Sequence, residues 1–271
     1  MGRERIPGLL LEHWKTAAFL LSLTLVLVFE RIARWRAFPS PAARWRRNVP
    51  LALVDAGILA VVCGGCAVEI SRWAASAGIG LFNVLPVPRI VAIGFTIAGL
   101  DLISYLWHRA NHRLSFLWRF HAVHHSDPVF DASTSFRFHP GELLLALPVR
   151  LGAVVLLGAP VAGLVIFEVT FGFFNLFVHG NIRLPDRMER IAESLVVHPA
   201  MHRAHHSHVV AESNSNYGTI FSVWDRLFRT LFAARSTRDV RIGLDGVSAA
   251  EAGAVLSQLW MPVRTRAPAD P

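Results

Sequence analysis

The sequence predicts an all-α protein: an integral-membrane helical bundle with a cytoplasmic, histidine-rich helical metal-site cap. Three observations predict it. Apolar residues fill 53% of the 271 positions and charged residues only 17%, at a mean hydropathy of +0.43, well away from a water-soluble domain. The apolar excess is gathered in long runs, as spans across a bilayer require. Of thirteen histidines, all but His13 and His208 fall in five short stretches after residue 107.

In chain order, the first apolar segment covers residues 16–29. It is short for a span and is flanked by the interfacial residues Trp14, Trp35 and Trp45. The preceding "MGRERIPG" suggests a secretory signal, but no small-x-small cleavage site follows, so a retained anchor is expected. Next comes a loop holding Arg31, Arg34, Arg36, Arg44, Arg46 and Arg47, with Pro39 and Pro41. The formal charge is +8, but arginines that bracket apolar runs read as a positive-inside signal rather than a nucleic-acid stripe. No nucleic-acid partner is expected.

The second segment, 49–70, is interrupted by Asp55 and Glu69 and contains Cys63 and Cys66. Their C-x-x-C spacing has no second pair, so small membrane residues explain it better than a redox or zinc half-site. Gly78, Gly80, Pro86 and Pro88 form a turn region before the third segment, 90–107. Two further segments, about 143–159 and 161–178, are split by "GAP" and read as a membrane hairpin. Loop charge places 31–47, 108–141 and 179–271 on one face, taken as cytoplasmic, of a bacterial-type inner membrane. Whether segment one crosses stays open, giving four or five spans. The expected division is membrane segments and arginine loop over 1–89, a catalytic domain over 90–235, and a tail over 236–271 that ends in disordered "RTRAPADP".

The histidine spacings carry the chemistry. His108/His112 and His121/His125 are i, i+4 pairs, and His198, His202, His205 and His206 follow the same helical spacing. On a helix such residues share a face, about 5–6 Å apart at Cβ, close enough to bracket a metal. The adjacent pairs His124–His125 and His205–His206 splay apart, as ligands to two ions would. Neutral imidazole suits iron and zinc. Asp101, Tyr105, His108 and His112 form one stripe of a helix. A carboxylate inside an apolar run needs a partner. Asp101 either fixes the tautomer of a ligating imidazole from the second shell, with Tyr105 and Glu142 as further supports, or pairs with an arginine at the helix end.

The stretches "DLISYLWHRANH", "FLWRFHAVHHSDPVFDASTSFRFHPGE", "NLFVHGNIRLP" and "HPAMHRAHHSHVVAESNSNYGTIFSVWDRLFRT" together resemble the integral-membrane fatty acid hydroxylase/sterol desaturase superfamily. The resemblance runs from about residue 101 to 230. It implies a two-iron centre (zinc in some isolated preparations) with His108, His112, His121, His124, His125, His202, His205 and His206 as ligands. His179 matches a further family histidine after the hairpin. His139 also matches one, as ligand or support, and His198 is a weaker candidate. Two departures stand out. No segment resembles the cytochrome b5-like domain of several members, and Arg229 replaces the glycine often found in the closing "LFGT".

An O₂-dependent hydroxylation or desaturation of a membrane lipid (sterol, fatty acyl or related) follows as the expected activity. The oxidant must come from a redox metal, since side chains cannot attack an unactivated C–H bond. No nucleotide loop, haem motif or Cys₄ cluster is present, so electrons are expected from a separate reductase, ferredoxin or cytochrome b5-like protein. Arg183, Arg187 and Arg190 offer an acidic donor a basic docking surface. Two alternative readings fit a histidine-rich membrane chain. A metal-handling protein needs ionisable residues along its spans, whereas Asp55, Glu69, Asp101, Arg150 and Glu168 are scattered. A zinc-dependent lipid hydrolase would use Glu142 or Glu168 as base and need no reductant.

Overall fold

The computed structural model describes residues 8–38, 41–63, 66–232 and 240–265. Among them helices dominate and no extended strand occurs; pairing is limited to isolated bridges such as Arg34 with Ile182. The membrane-side helices are α1 (Gly8–Ile32), α2 (Pro41–Cys63), α3 (Cys66–Ala77), the short α4 (Leu81–Val84) and α5 (Arg89–Arg113). After α6 (Ser115–His125) and a 3₁₀ turn (Ala132–Phe136), the hairpin α7 (Pro140–Leu157) and α8 (Val161–His179) completes them. The cap adds α9 (Asp186–Glu193), α10 (Pro199–His205), α11 (Val210–Ser213), α12 (Val223–Leu227), α13 (Ala249–Gly253) and α14 (Val255–Arg264).

Among the described residues four stretches are long and apolar enough to cross a membrane: Ala42–Val84, Arg89–Arg113, Pro140–Leu157 and Val161–His179. Their outward residues are apolar too; Val61, Ile90, Phe95 and Leu156 are all more than 60% exposed. In water that surface would be a large liability, whereas in lipid it is the solvated face. The protein is therefore an integral-membrane helical bundle.

Local chemistry sets the hairpin. Pro140 occupies the first turn of α7, where its missing N–H costs nothing, and the His139 side chain accepts the Gly141 N–H as N-cap. Gly158 closes α7 in the left-handed region at φ 60°, and Pro160 starts α8. The tip sits against the turn after α3. A Cβ on Gly80 would lie 2.3 Å from Gly158 N and Val155 O, so only glycine permits that approach. Ser71 Oγ donates to Ala159 O at 2.6 Å from the same side. Val68, Leu100, Ala153, Val154, Leu164 and Phe167 form the core beneath it.

Two expectations change. Half of the arginine loop is helical, because α2 begins at Pro41, and Arg44 is buried among acidic residues. Residues 240–265 fold back onto the cap: Val240 and Ile242 pack with Phe130, and Met261 of α14 packs with Trp118 of α6. Most of "RTRAPADP" and the two glycines of "CGGC" lie outside the described residues; Cys66 carries a free thiol.

Candidate metal centre

Four helices deliver nine imidazoles to one place. α5 contributes His108 and His112, and α6 contributes His121, His124 and His125; α8 ends in His179, and α10 brings His202 and His205 with His206 as its C-cap. They sort into two groups, His108/His112/His121/His125/His205 and His124/His179/His202/His206. Within each group the donor atoms all lie within 4.8 Å of one another. The adjacent pairs divide between the groups, since consecutive helical residues point about 100° apart. The groups abut where His125 and His206 stack, 4.3 Å between ring centres.

Hydrogen bonds fix which nitrogen faces inward. The Nδ1 atoms of His108, His179 and His205 donate to the carbonyls of Tyr217, Asn175 and Ser215 at 2.7–2.8 Å. His124 Nδ1 does the same to Arg137 O at 3.2 Å. A carbonyl only accepts, so each ring keeps its proton outside and turns a bare Nε2 inward. His124 Nε2 and His179 Nε2, both bare, then face each other at 3.0 Å, and His202 Nε2, whose tautomer no carbonyl fixes, lies 2.9 Å from the same His179 atom. Lone pairs facing lone pairs repel unless a cation sits among them. Buried Nε2 atoms of His108, His121 and His205 likewise have no protein partner. This donor set fits metal ions and little else.

Electrostatics keep the rings neutral. Burial, reinforced by neighbouring imidazoles, pushes His124, His125, His202 and His206 well below the ordinary histidine range. His205 is pushed down to about 3. Neutral imidazole is the form that ligates.

The remaining predicted residues separate clearly. His139 uses Nδ1 as the α7 cap and turns Nε2 to Leu259 O, so it stands outside both groups. His198 is wholly buried at the N-cap of α10, outside both groups, with neither ring nitrogen partnered. Asp101 touches no imidazole and no arginine. It accepts from the backbone N–H of Ile220 and Phe221 and from Trp224 Nε1, holding the closing segment onto α5. Tyr105 bonds Thr230 Oγ1 at 2.8 Å. Of these three supports, only Glu142 reaches a histidine, at 2.8 Å from His121 Nδ1. Asn111, which the spacing did not single out, donates to the same carboxylate oxygen at 3.0 Å. Glu142→Gln is expected to lower metal affinity roughly 10–100-fold without unfolding the protein. Competition with a graded chelator measures this, and unchanged affinity would refute the supporting role.

The closing "NYG…WDRLFRT" proves to be a brace. Asp225 accepts the N–H groups of Tyr217 and Gly218 and the Thr230 hydroxyl, setting the Tyr217 carbonyl against His108. Arg229 has φ 57°, a left-handed conformation costly for a residue with a Cβ, which explains the glycine usual at this position. Arg229→Gly should stabilise the cap by up to about 1 kcal/mol, read as a rise in melting temperature in detergent; a fall would contradict the strain argument.

Among the described residues, cavities reach the histidines from two sides. One of about 220 Å³ lies between α5, α7 and α8, with Leu100, Ala146, Val149 and Phe171 among its walls and His108, His121, His124, His179 and His202 at one end. The other, about 440 Å³, touches His112 from the cap side and is lined by polar groups including His208, Asp245 and Glu251.

The site and fold together are those of a membrane-embedded helical bundle whose clustered imidazoles could hold metal ions beside an apolar cavity. The chain belongs to the fatty acid hydroxylase family, whose model matches residues 93–230. It is 33% identical over 161 residues to an ornithine lipid hydroxylase of Rhizobium tropici, covering 59% of this chain and 47% of that protein. It is 31% identical over 137 residues to an alkylglycerol monooxygenase of Caenorhabditis elegans, covering 50% and 26%. Human cholesterol 25-hydroxylase is 28% identical over 145 residues, covering 52% and 51%. The match thus spans about half or less of these curated relatives. No solved structure matches the chain.

Proposed function

We propose that the protein is an O₂-dependent, two-iron lipid hydroxylase of the membrane, its ions held by the nine histidines of the two groups. The observation that carries this reading is the set of neutral, inward-facing imidazole nitrogens beside an apolar cavity. The relatives named above, hydroxylases and a monooxygenase, favour hydroxylation over desaturation. Bound iron would supply the oxidant, with O₂, two electrons and two protons converting a C–H bond to C–OH and one water.

The chain's own residues have distinct tasks. Backbone carbonyls of Tyr217, Asn175, Ser215 and Arg137 hold the ring tautomers, and Glu142 orients His121. Leu143, Ala146, Val149 and Phe171 exclude water and hold an alkyl chain against the histidines. An external reductase, ferredoxin or cytochrome b5-like protein would supply electrons on the face bearing the exposed Arg183, Arg187 and Arg190. By the positive-inside rule that face is cytoplasmic.

The test is reconstitution of anaerobically purified protein with Fe(II), a reductase system and a membrane lipid extract, followed by O₂ and mass spectrometry. Two equivalents of iron and a product heavier by one oxygen are expected; zinc picked up during isolation would leave the protein inactive. Absence of any O₂-dependent product across lipid classes would overturn the reading, and turnover under argon would point to hydrolysis.

A further inference from the structure

The cavity between α5, α7 and α8 has apolar walls, yet at the end away from the histidines it meets a charge. Glu142, Leu143, Ala146, Val149 and Arg150 all line it from α7, at helical spacing along one face. Arg150 Nη2 donates to Glu168 Oε1 on α8 at 3.2 Å, and Glu168 also receives Lys15 Nζ of α1 at 2.9 Å. The guanidinium lies over the Phe167 ring, 5.5 Å from its centre. These groups stand about midway along the hairpin, eight residues from Glu142 and eight from Gly158.

Packing does not require them there. α7 and α8 already meet through Ala153, Val154, Leu164 and Phe167. Ionisable side chains inside a membrane are costly and are normally retained for a ligand or a pathway. Among the described residues Arg150 has one hydrogen-bond partner, Glu168, and its side chain stays 40% exposed. One edge of its planar fork is therefore available, and that edge matches a carboxylate.

We propose that Arg150 is the specificity-determining residue of this cavity: it receives the carboxylate of an acidic amphiphile whose chain runs along α7 to the histidines. Glu168 orients the guanidinium and, being shared with Lys15, leaves it cationic. The helical rise puts Arg150 about 12 Å along α7 from Glu142, so the carbon presented for oxidation lies roughly eight to ten carbons from the acid group. The inference rests on the hydroxylase reading for the oxidation itself, but the binding preference stands independently of turnover.

The test uses the full chain in detergent-free lipid nanodiscs and tritiated decanoate, with unlabelled decanoate, decanol and decyltrimethylammonium as competitors. Decanoate should bind about tenfold or more tighter than decanol, and decyltrimethylammonium should not compete. Arg150→Gln should bring decanoate and decanol within about twofold while metal content stays at the wild-type level, and Arg150→Lys should keep part of the preference. Equal affinities in the wild type would overturn the proposal, and this comparison needs no variant to fold. A preference surviving in Arg150→Gln would also overturn it, because the carboxylate would then be held elsewhere, for instance at the metals. Product formation from neutral lipids with no decanoate preference removes this inference alone; an intact preference with no O₂-dependent product removes the hydroxylase reading alone.

Discussion

His205→Ala is expected to remove one metal ion and to reduce the proposed lipid hydroxylation more than about 100-fold. His205 stands at the middle of the five-histidine group. Its ring lies 4.4 Å from His108, 4.6 Å from His112 and 4.7 Å from His125, centre to centre. Its Nδ1 is tied to Ser215 O and its buried Nε2 has no protein partner. Alanine deletes a donor that no neighbour can replace, and it leaves four imidazoles around a void. His208→Ala, three residues on, serves as the control. That ring meets Arg241 O and belongs to neither group, so metal content and activity should stay at wild-type levels. Metal analysis of both variants decides the matter: two equivalents retained in His205→Ala would refute the assignment.

Arg44→Met should produce the largest loss of stability, about 3–5 kcal/mol. The guanidinium donates to both carboxylate oxygens of Asp127 at 2.5 and 2.6 Å, to Asp131 at 3.0 Å and to Val129 O at 2.8 Å. Burial alone would raise the Asp127 carboxyl, but Arg137 and Arg44 outweigh it and hold it below the usual range. Without Arg44, two buried carboxylates lose the guanidinium that hydrogen-bonds both of them. Lysine should rescue poorly, because an ammonium cannot reproduce a two-pronged contact together with a third and fourth bond. The damage should reach the site, since the Arg137 carbonyl orients His124 and the Arg137 side chain is built into the same network. Thermal unfolding in detergent measures the loss; a change below about 1 kcal/mol would show an ordinary surface ion pair instead.

Arg44 also shows where sequence patterning stops. Six arginines between two apolar runs look alike as a topology signal, and nothing local distinguishes the one that is buried. Its partners are 83 and 87 residues away, so only packing of α2 against the 3₁₀ turn selects it. Asp101 gives the same lesson. Its unusual place in an apolar helix called for a partner, but that partner is the backbone of a segment 119 residues later. Arg229 runs the other way: the missing glycine was visible in the sequence, and the φ of 57° supplies its meaning.

The sequence by itself determined that this is a helical membrane protein and which helices carry imidazoles. Apolar run length and the i, i+3 and i, i+4 spacing are local properties, settled by bilayer thickness and helical pitch. Tertiary structure alone decided which imidazoles share a group, because that depends on how α5, α6, α8 and α10 meet. It also separated His139 and His198 from the nine, since a helix-capping nitrogen or an isolated buried ring follows from surroundings rather than spacing. The placement of Arg150 at the end of an apolar cavity is of the same kind. A scattered charge in the sequence becomes a candidate contact for a lipid only once three helices have closed around it.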